Sequence, residues 1–269
     1  MSGEQPKDPL IVTGVARSGV RLMSALLDGH PELASGPDLP FLITMAMQWK
    51  EIASTLGENH AKYHSLGREQ VRDSFRFTAA KLFAPRLERE GKERFVIQSF
   101  AAMLSLEAMA ALFPTTRVIV MVRDPRAVAR SLLRCNWRNP QDGRPLPYTQ
   151  DASVGGRFWA EFMRASLPGI TSLESTGRLK IVRYEDLCAK PEATLTEVGE
   201  FIGKAALPAD LRQASADCVI ASTDNEHPPL RVGHLDTASI DAWKSGLPAD
   251  TVRAIWSAAA PIAERFGYV

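Results

Sequence analysis

The sequence predicts an α/β protein in which helices flank a central, mainly parallel β-sheet, giving three layers. Two short apolar runs typical of buried strands lie at residues 10–12 and 118–122, and residues 179–184 are a further strand candidate. Segments with apolar residues at helical spacing separate these runs. Strands that alternate with helices along a chain pair in parallel, because each crossover returns the chain to the same end of the sheet.

The remaining elements follow from periodicity and from turn residues. A further strand is expected at 94–97, and Asp124 followed by Pro125 predicts the start of a helix. On the helix at 69–89, the buried face is expected to carry Val71, Phe75, Ala79 and Leu82. The other predicted helices lie at 41–56, 104–112, 156–167, 191–202 and 249–266. Loops are predicted at 34–40, 57–67, 136–151 and 224–239.

Composition narrows the classes of function. The chain has 269 residues, 45% of them hydrophobic and 23% charged, which is enough to bury a sizeable core. We find no linker or repeat, so residues 1–269 are expected to form one domain, with residues 1–8 disordered. The formal net charge of +1 argues against broad binding to nucleic acid or membrane surfaces. A polyanionic ligand would therefore need a local basic site.

The cysteines and the chain start predict the compartment. Cys135, Cys188 and Cys218 are an odd number without CxxC spacing, which argues against a disulfide framework or a zinc site. The polar start MSGEQPKDP shows no signal peptide. No apolar run approaches the ~20 residues of a membrane span. We therefore expect a cytoplasmic protein.

Residues 10–27, LIVTGVARSGVRLMSALL, predict a phosphate-binding loop. A short apolar strand is followed by a turn between Gly14 and Gly19 and then by helical spacing, a P-loop-like layout. The backbone N–H groups of such a loop and the N-terminus of its helix converge on one volume, which an anion fills. Two glycines also suit an ordinary strand-to-helix turn, and that alternative stays open.

The residues after the second glycine argue against a nucleotide triphosphatase or P-loop kinase. Such proteins place Lys and then Ser or Thr there, to hold the terminal phosphates and Mg²⁺. Here the positions hold Val20 and Arg21, and the cation of the loop is Arg17 within the turn. The pattern favours an anion that is bound without a metal.

The segment ARSGVRLMSALLDGHPELASGPD resembles the 5′-phosphosulfate loop of the sulfotransferases that use 3′-phosphoadenosine 5′-phosphosulfate (PAPS). The pattern is most similar to that of the tyrosylprotein sulfotransferases and their bacterial relatives. The resemblance implies PAPS as donor, 3′-phosphoadenosine 5′-phosphate (PAP) as product, and no metal. It implies that the 5′-phosphosulfate is bound by Gly14, Arg17, Ser18, Gly19, Val20 and Arg21.

A second motif, VRDPRAVARS, places Arg123 at a strand end and Ser131 two turns into the following helix. An arginine fork and a hydroxyl suit a terminal phosphate at the edge of a sheet. This motif resembles the family element that binds the 3′-phosphate of the cofactor, and the resemblance implies the same role here. The alternative is that Arg123 pairs with Asp124 or Glu185 and that Ser131 is a surface residue.

Two further segments carry weaker matches. The strand followed by YEDL resembles a family element, in which Tyr184 either reaches the cofactor or caps the sheet as a core residue. Arg231, Gly233 and the pair Trp243-Lys244 loosely resemble the segment that closes over the adenosine and the 3′-phosphate.

The reaction that the resemblance implies is direct in-line transfer of a sulfuryl group to a hydroxyl or amine, with little covalent chemistry for the protein. Asp38 stands where the family has a glutamate and is the expected base, since an acceptor hydroxyl must lose a proton. The alternative is that the side chain of Asp38 only stabilises a turn in the loop. His30 is the competing base, although His-Pro here also indicates the end of a helix.

The chain departs from the family pattern at three places. Val20-Arg21 replaces two hydroxyl residues, Asp38 replaces Glu, and Gln98 stands where the family lysine is expected. In the family that lysine neutralises the leaving oxygen, and losing such a group typically costs ~10²–10³ in rate. Arg17, Asp38 and Gln98 are thus the expected catalytic residues. A weakened member that binds the cofactor or acts as a scaffold is the alternative.

The acceptor is left open as a small molecule, a carbohydrate or a peptide, and a homodimer is an open possibility. Acceptor pockets in this fold are built from variable helices and loops, here expected at 41–66 and 136–159. Aromatic residues there could stack on a ring, or could simply pack in the core. They are Trp49, Tyr63, Trp137, Tyr148 and Trp159.

Overall fold

The computed structural model describes residues 6–204, 207 and 237–269, and it shows a five-stranded, wholly parallel sheet. The strand order is β2-β3-β1-β4-β5. The strands are β1 (Leu10–Gly14), β2 (Leu33–Ser35), β3 (Arg94–Gln98), β4 (Val118–Val122) and β5 (Leu179–Arg183). The α/β prediction is confirmed. The chain runs from β1 to one side of the sheet and then crosses to the other side, and ligands of α/β proteins bind where strand order reverses.

Eleven helices lie among the described residues. They are α1 (Val20–Asp28), α2 (Pro40–Thr55), α3 (Glu58–His64), α4 (Arg68–Glu90), α5 (Leu106–Leu112), α6 (Pro125–Leu132), α7 (Ala152–Ser175), α8 (Tyr184–Ala189), α9 (Pro191–Ile202), α10 (Ala238–Gly246) and α11 (Ala249–Ala263). Short 3-10 turns occur at Ala101–Ser105, Pro147–Thr149 and Glu264–Phe266. In this part of the chain, no helix is both long and apolar enough to span a bilayer.

Alternate residues of the strands face two separate apolar layers. Ile11, Val118 and Val120 belong to the layer that contains residues of α5, α7 and α11. Val12 and Ile119 belong to the opposite layer, with residues of α1 and α9. Strands covered on both faces are apolar throughout, which is why β4 was recognisable as five consecutive apolar residues. Asp124 caps α6 as predicted, its carboxylate accepting from the N–H of Arg126.

Several elements differ from the sequence predictions. Residues 34–40 were expected as a loop, but Leu33–Ser35 form the edge strand β2 paired with β3. Three residues are too few for periodicity to reveal a strand. The predicted connection 57–67 contains α3, which has no buried residue and therefore no apolar pattern. Helix α7 spans Ala152–Ser175 rather than 156–167, continuing through Pro168.

The buried face of α4 was predicted wrongly at one position. Ala79 is buried, but Leu82 is 53% exposed and its neighbour Phe83 faces the core. Phe83 stacks on Phe95 of β3 with ring centroids 4.2 Å apart. At this turn of α4 the core residue is therefore Phe83 rather than Leu82.

The expectation that residues 1–8 are disordered is wrong for Asp8. Its side chain is buried, and its carboxylate accepts hydrogen bonds from Arg76 at 2.8 Å and from the N–H and hydroxyl of Thr115 at 2.8 Å. Buried carboxylates are retained where such donors compensate for lost hydration. Asp8 therefore ties the segment before β1 to α4 and to the loop before β4.

Candidate functional site

The loop between β1 and α1 has a backbone that few residues can adopt. Gly14 has φ 151°, and a Cβ there would lie 2.2 Å from the carbonyl oxygen of Met121 on β4. Gly19, with φ 96°, is the N-cap residue that precedes α1, and a Cβ there would lie 2.7 Å from the ring of Tyr184. Both glycines are therefore required by close approach as well as by conformation. The loop is held tightly against the carboxyl ends of β4 and β5.

Arg17 lies in this loop in the left-handed conformation, with φ 71°. A bulky residue with positive φ is strained, and such strain concentrates at functional sites. Its Nε donates to the hydroxyl of Ser131 on α6 at 3.1 Å. Burial lowers the pKa of Arg17, and the charges of Arg123 and Arg134 lower it further. No carboxylate forms an ion pair with Arg17 among the residues that the structure describes.

Arg123, at the end of β4, contacts the same loop. Its Nη1 donates to the carbonyl of Arg17 at 3.1 Å, and its Nη2 donates to the carbonyl of Ser239 on α10 at 2.9 Å. The guanidinium lies over the ring of Tyr184, 4.1 Å from its centroid. Arg123 is only 7% exposed, and within the described ranges it forms no ion pair.

The pairing of Arg123 with Asp124 or Glu185, left open above, is absent from the structure. Asp124 instead binds Arg126, with Nη2 to Oδ2 at 2.7 Å. Glu185 accepts from the N–H of Asp124 at 3.0 Å and from the hydroxyl of Tyr268 at 2.8 Å. Both carboxylates that could neutralise Arg123 are therefore engaged elsewhere.

Tyr184 connects the loop, β4 and α10. It is buried, and its hydroxyl forms a 2.7 Å hydrogen bond with the hydroxyl of Ser239. Burial raises the pKa of Tyr184, so the phenol stays neutral. Ser239 was missed by sequence reasoning because no local motif marks it. It contacts Arg123 and Tyr184 only through the packing of α10 against the sheet edge.

Polar atoms without hydrogen-bond partners remain at this site. The hydroxyl of Ser18 and the Nε of Arg123 are buried and make no hydrogen bond within the described part of the chain. Buried donors are normally satisfied, so such atoms indicate a missing acceptor. Together with the uncompensated charges of Arg17 and Arg123, they fit a phosphate or phosphosulfate group. Val20 is buried and Arg21 is partly buried at the start of α1; Arg231 lies outside the described residues.

A second group lies at the end of β3. Ser99 donates from its hydroxyl to Oδ2 of Asp38 at 2.9 Å, and its own carbonyl accepts from Thr13 at 2.6 Å. Gln98 donates from Nε2 to the carbonyl of Gly36 at 2.7 Å, and its Oε1 is buried without a hydrogen bond to any described residue. The structure thus brings Asp38 to the carboxyl end of β3, where Gln98 is the last strand residue. Ser99 was not predicted.

The two candidate bases differ in their surroundings. Desolvation of the carboxyl raises the pKa of Asp38, while hydrogen bonds from Ser99 and from the N–H of Leu39 oppose the rise. The residue as a whole is exposed, so solvent reaches it. Burial lowers the pKa of His30, whose Nδ1 accepts from the N–H of Glu32 at 3.1 Å. That bond suits the helix-ending role of His30.

Arg126 forms a clamp at the end of the chain. Its guanidinium lies between the indole rings of Trp243 on α10 and Trp256 on α11, at 4.1 and 4.6 Å from their centroids. It also donates to the carbonyl of Val269 at 2.8 Å and binds the carboxylate of Asp124. Cation–π contacts of this kind contribute roughly 0.5–2 kcal/mol each. The clamp fixes α10, and hence Ser239, against α6.

No group of three or more His, Cys, Asp and Glu side chains within the described ranges is arranged to hold a metal ion.

Comparison with known proteins bears on this arrangement. The family described as "Sulfotransferase family" matches residues 9–206. Protein-tyrosine sulfotransferase A of Caenorhabditis elegans is 25% identical over 96% of this chain and 67% of its own length. The sulfotransferase domain of the Synechococcus PCC 7002 olefin synthase has a TM-score of 0.56 at 24% identity, covering 100% of this chain and 98% of that chain. Mouse sulfotransferase SULT7A1 complexed with PAP has a TM-score of 0.52 at 11% identity, covering 96% of this chain and 84% of that chain. The similarity to these two solved structures is a similarity of fold.

Proposed function

The chain belongs to the sulfotransferase family, and we propose on that premise that it transfers a sulfuryl group from PAPS directly to an acceptor hydroxyl or amine. The bond between sulfur and the bridging phosphate oxygen breaks as the acceptor oxygen or nitrogen bonds to sulfur. PAP leaves and the acceptor proton passes to a base. In-line transfers of this kind need positioning and charge stabilisation more than covalent catalysis.

One observation carries the proposal. Arg17 and Arg123 come from two strand ends, contact each other through a 3.1 Å hydrogen bond, and have no carboxylate partner among the described residues. Arg123 is buried and Arg17 is partly buried. Two such guanidiniums without counter-charge repel each other and are desolvated, and an anion between them relieves both costs. PAPS carries anionic groups at both ends of its ribose, which suits two arginines from separate strands.

Each residue then has a role in the proposed reaction. The loop N–H groups, Arg17 and Ser18 hold the 5′-phosphosulfate, and the helix dipole of α1 adds positive potential. Arg123 holds the 3′-phosphate, using the Nε that has no partner. Ser131 orients Arg17 through their 3.1 Å bond rather than contacting Arg123. The ring of Tyr184 packs against the face of the Arg123 guanidinium and holds it in position.

Asp38 is proposed to accept the proton of the acceptor. A base works best when its pKa approaches the operating pH, and desolvation of the carboxyl raises the pKa of Asp38 in that direction. Its hydrogen bond to Ser99 holds the carboxylate at the sheet edge beside Gln98. Gln98 is proposed to donate a hydrogen bond toward the bridging oxygen as negative charge develops there.

A second candidate function is a weakened member that binds PAPS or PAP without efficient transfer. The observation that favours it is the neutral Gln98, whose amide is already engaged with the carbonyl of Gly36. A neutral donor stabilises a leaving oxyanion less than a lysine does.

We also propose a cytoplasmic location. Cys135 is a buried thiol that is not in a disulfide, as expected where thiols stay reduced. A peptide, a carbohydrate and a small molecule all stand as acceptor classes at this stage.

Calorimetry and radiolabelled transfer test the proposal together. PAP should bind the wild-type protein, and Arg123→Gln should weaken binding at least tenfold, while the exposed Arg89→Gln on α4 should not change it. Sulfate should then pass from labelled PAPS to an acceptor panel, with ATP and Mg²⁺ as the kinase control. PAP binding without any transfer would favour the weakened member, and absence of PAP binding would overturn both functions.

A further inference from the structure

Large apolar side chains are exposed on both segments that carry the Asp38–Ser99 pair. Phe41 follows Asp38 by three residues and is 41% exposed, and Phe100 directly follows Ser99 and is 39% exposed. Leu104, one turn later, is 53% exposed. Apolar groups of this size gain free energy by leaving water, and their exposure on both segments that meet at the candidate base indicates a binding surface.

Phe100 is the exposed end of a row of aromatic rings. Its ring lies 6.0 Å from that of Phe162, which lies 5.6 Å from Phe158. Phe158 stacks on Tyr148 with centroids 4.3 Å apart and an interplanar angle of 18°. We call these four residues the aromatic row. Phe162 is buried in the core, so the row backs Phe100 with a rigid apolar wall.

The row is connected to the reaction centre through the backbone. The hydroxyl of Thr13, at the end of β1, donates to the carbonyl of Ser99 at 2.6 Å. Phe100 is therefore held at the same sheet edge as the loop that carries Arg17. An acceptor lying on Phe100 would therefore be at the same edge of the sheet as Asp38 and the loop that carries Arg17.

Charge distinguishes the classes of acceptor. Residues 39–49 and 99–106 contain no charged residue, so Asp38 is the single charge in segments 38–49 and 99–106. The exposed charges on the adjoining turns of α7 are of both signs, namely Arg157, Glu161 and Arg164. An acidic peptide or a sulfated sugar would meet one carboxylate and no cation on the segments nearest the base, which disfavours it.

We propose that the acceptor is an uncharged alcohol or phenol with an apolar ring, bound against Phe41, Phe100 and Leu104 in front of the aromatic row. This inference rests on the proposed function and names its substrate class. In the reaction, the ring hydroxyl gives its proton to Asp38 and its oxygen bonds to sulfur as PAP departs. The apolar surroundings also strengthen the pairing of Asp38 with that hydroxyl by excluding water.

The experiment uses 2-naphthol as probe with the full-length protein saturated with PAP. Direct binding is measured by calorimetry, and transfer from labelled PAPS is measured with 2-naphthol, with an acidic tyrosine peptide and with glucose. Phe100→Ala should weaken naphthol binding about tenfold and raise KM for naphthol, because a ring contact is lost. Phe77→Ala is its matched control, since Phe77 on α4 is 38% exposed.

A second pair of variants makes the result independent of a folding defect. Leu104→Ala should weaken naphthol binding by a smaller factor of about three to five, since it removes an aliphatic contact. Leu82→Ala is matched to it, because both leucines are 53% exposed. PAP affinity should be unchanged in all four variants, which reports that each one folds.

The outcomes separate this inference from the proposed function. Naphthol binding that falls in Phe100→Ala but not in Phe77→Ala supports the inference even if no sulfate is transferred, in which case the proposed function fails alone. Transfer to the acidic peptide or to glucose with kcat/KM above that for naphthol overturns the inference and leaves sulfuryl transfer intact. Absence of naphthol binding to the PAP-saturated protein also overturns it.

Discussion

The guanidinium of Arg123 donates a 3.1 Å hydrogen bond to the backbone carbonyl of Arg17. This bond joins the end of β4 to the loop after β1, two segments that are 106 residues apart in the chain. The neighbouring strands place them in register, since Gly14 pairs with Met121. The two arginines are therefore one structural unit, and their variants should not be additive in ligand binding.

Arg17→Gly should separate binding from stability. Glycine adopts a φ of 71° without strain, and removal of one guanidinium relieves its desolvation and its repulsion by Arg123. We expect PAP affinity to fall at least tenfold while the melting temperature without ligand stays equal or rises. Calorimetry and thermal denaturation with and without PAP measure the two effects.

Arg17→Ala is the companion variant, since it also removes the charge but keeps a Cβ at the positive φ. It should bind PAP as poorly as Arg17→Gly and melt at a lower temperature than the glycine variant. Full PAP affinity in either variant would contradict a role for Arg17 in anion binding.

Trp243→Ala should loosen α10 and weaken PAP binding about threefold to tenfold. The indole ring of Trp243 lies on Arg126, and α10 carries Ser239, which contacts Arg123 and Tyr184. Losing a cation–π contact costs roughly 0.5–2 kcal/mol. We expect this loss to destabilise the packing of α10 against Arg126. Titration of PAP measures the effect.

Trp256→Ala is the control for this prediction, because Trp256 stacks on the same guanidinium from α11. It should lower the melting temperature with less effect on PAP affinity. If the two variants lose PAP affinity equally, Arg126 rather than α10 carries the effect.

Ser99→Ala should shift the acidic limb of the pH profile of kcat/KM to higher pH. The hydroxyl of Ser99 donates to Asp38 and lowers the pKa of that carboxyl, so its removal leaves desolvation to raise the pKa further. The base must be ionised, and activity is therefore lost at a higher pH than in the wild type. Ser99→Thr, which keeps a hydroxyl, should restore the original limb.

The raised pKa of Asp38 also makes the stability of the fold depend on pH. The folded protein binds the Asp38 proton more tightly than the unfolded chain, so this carboxyl stabilises the fold below its unfolded pKa. That contribution is lost as the pH rises through the raised pKa. Asp38→Asn should abolish transfer and flatten this part of the stability profile. An unshifted limb in Ser99→Ala would assign the base to another group.

Gln98→Lys should raise kcat, by about tenfold or more, with little change in PAP affinity. Gln98 lies beside Ser99 and Asp38 at the edge of the sheet, and a charged ammonium stabilises a leaving oxyanion better than an amide does. The Oε1 of Gln98 has no hydrogen-bond partner in the described part of the chain, so its loss is tolerated. Single-turnover transfer from labelled PAPS measures the change.

Gln98→Met is the paired variant, similar in length but without a donor, and its kcat should fall below that of the wild type. Unchanged kcat in both variants would show that position 98 does not face the leaving oxygen.

Local sequence patterns predicted much of the fold. The five apolar residues of β4 predicted a central strand with the bounds that it has, and Pro191–Ile202 formed the predicted helix. The edge strand Leu33–Ser35 and the exposed helix Glu58–His64 were missed, since neither buries a periodic face long enough to read. The exposure of Leu82 followed from the stacking of Phe83 on Phe95, a contact between elements.

The sequence by itself determined the glycine loop, the cation within it, the second arginine at a strand end and the resemblance to sulfotransferases. Those features are local, because turn conformation and strand burial depend on residues close in the chain. Only the tertiary structure decided that Ser131 binds Arg17, 114 residues away, and that Ser239 binds Arg123, 116 residues away. Such contacts depend on sheet order and on where α10 packs, which no local spacing encodes. The same holds for Ser99 beside Asp38, whose contact follows from the pairing of β2 with β3.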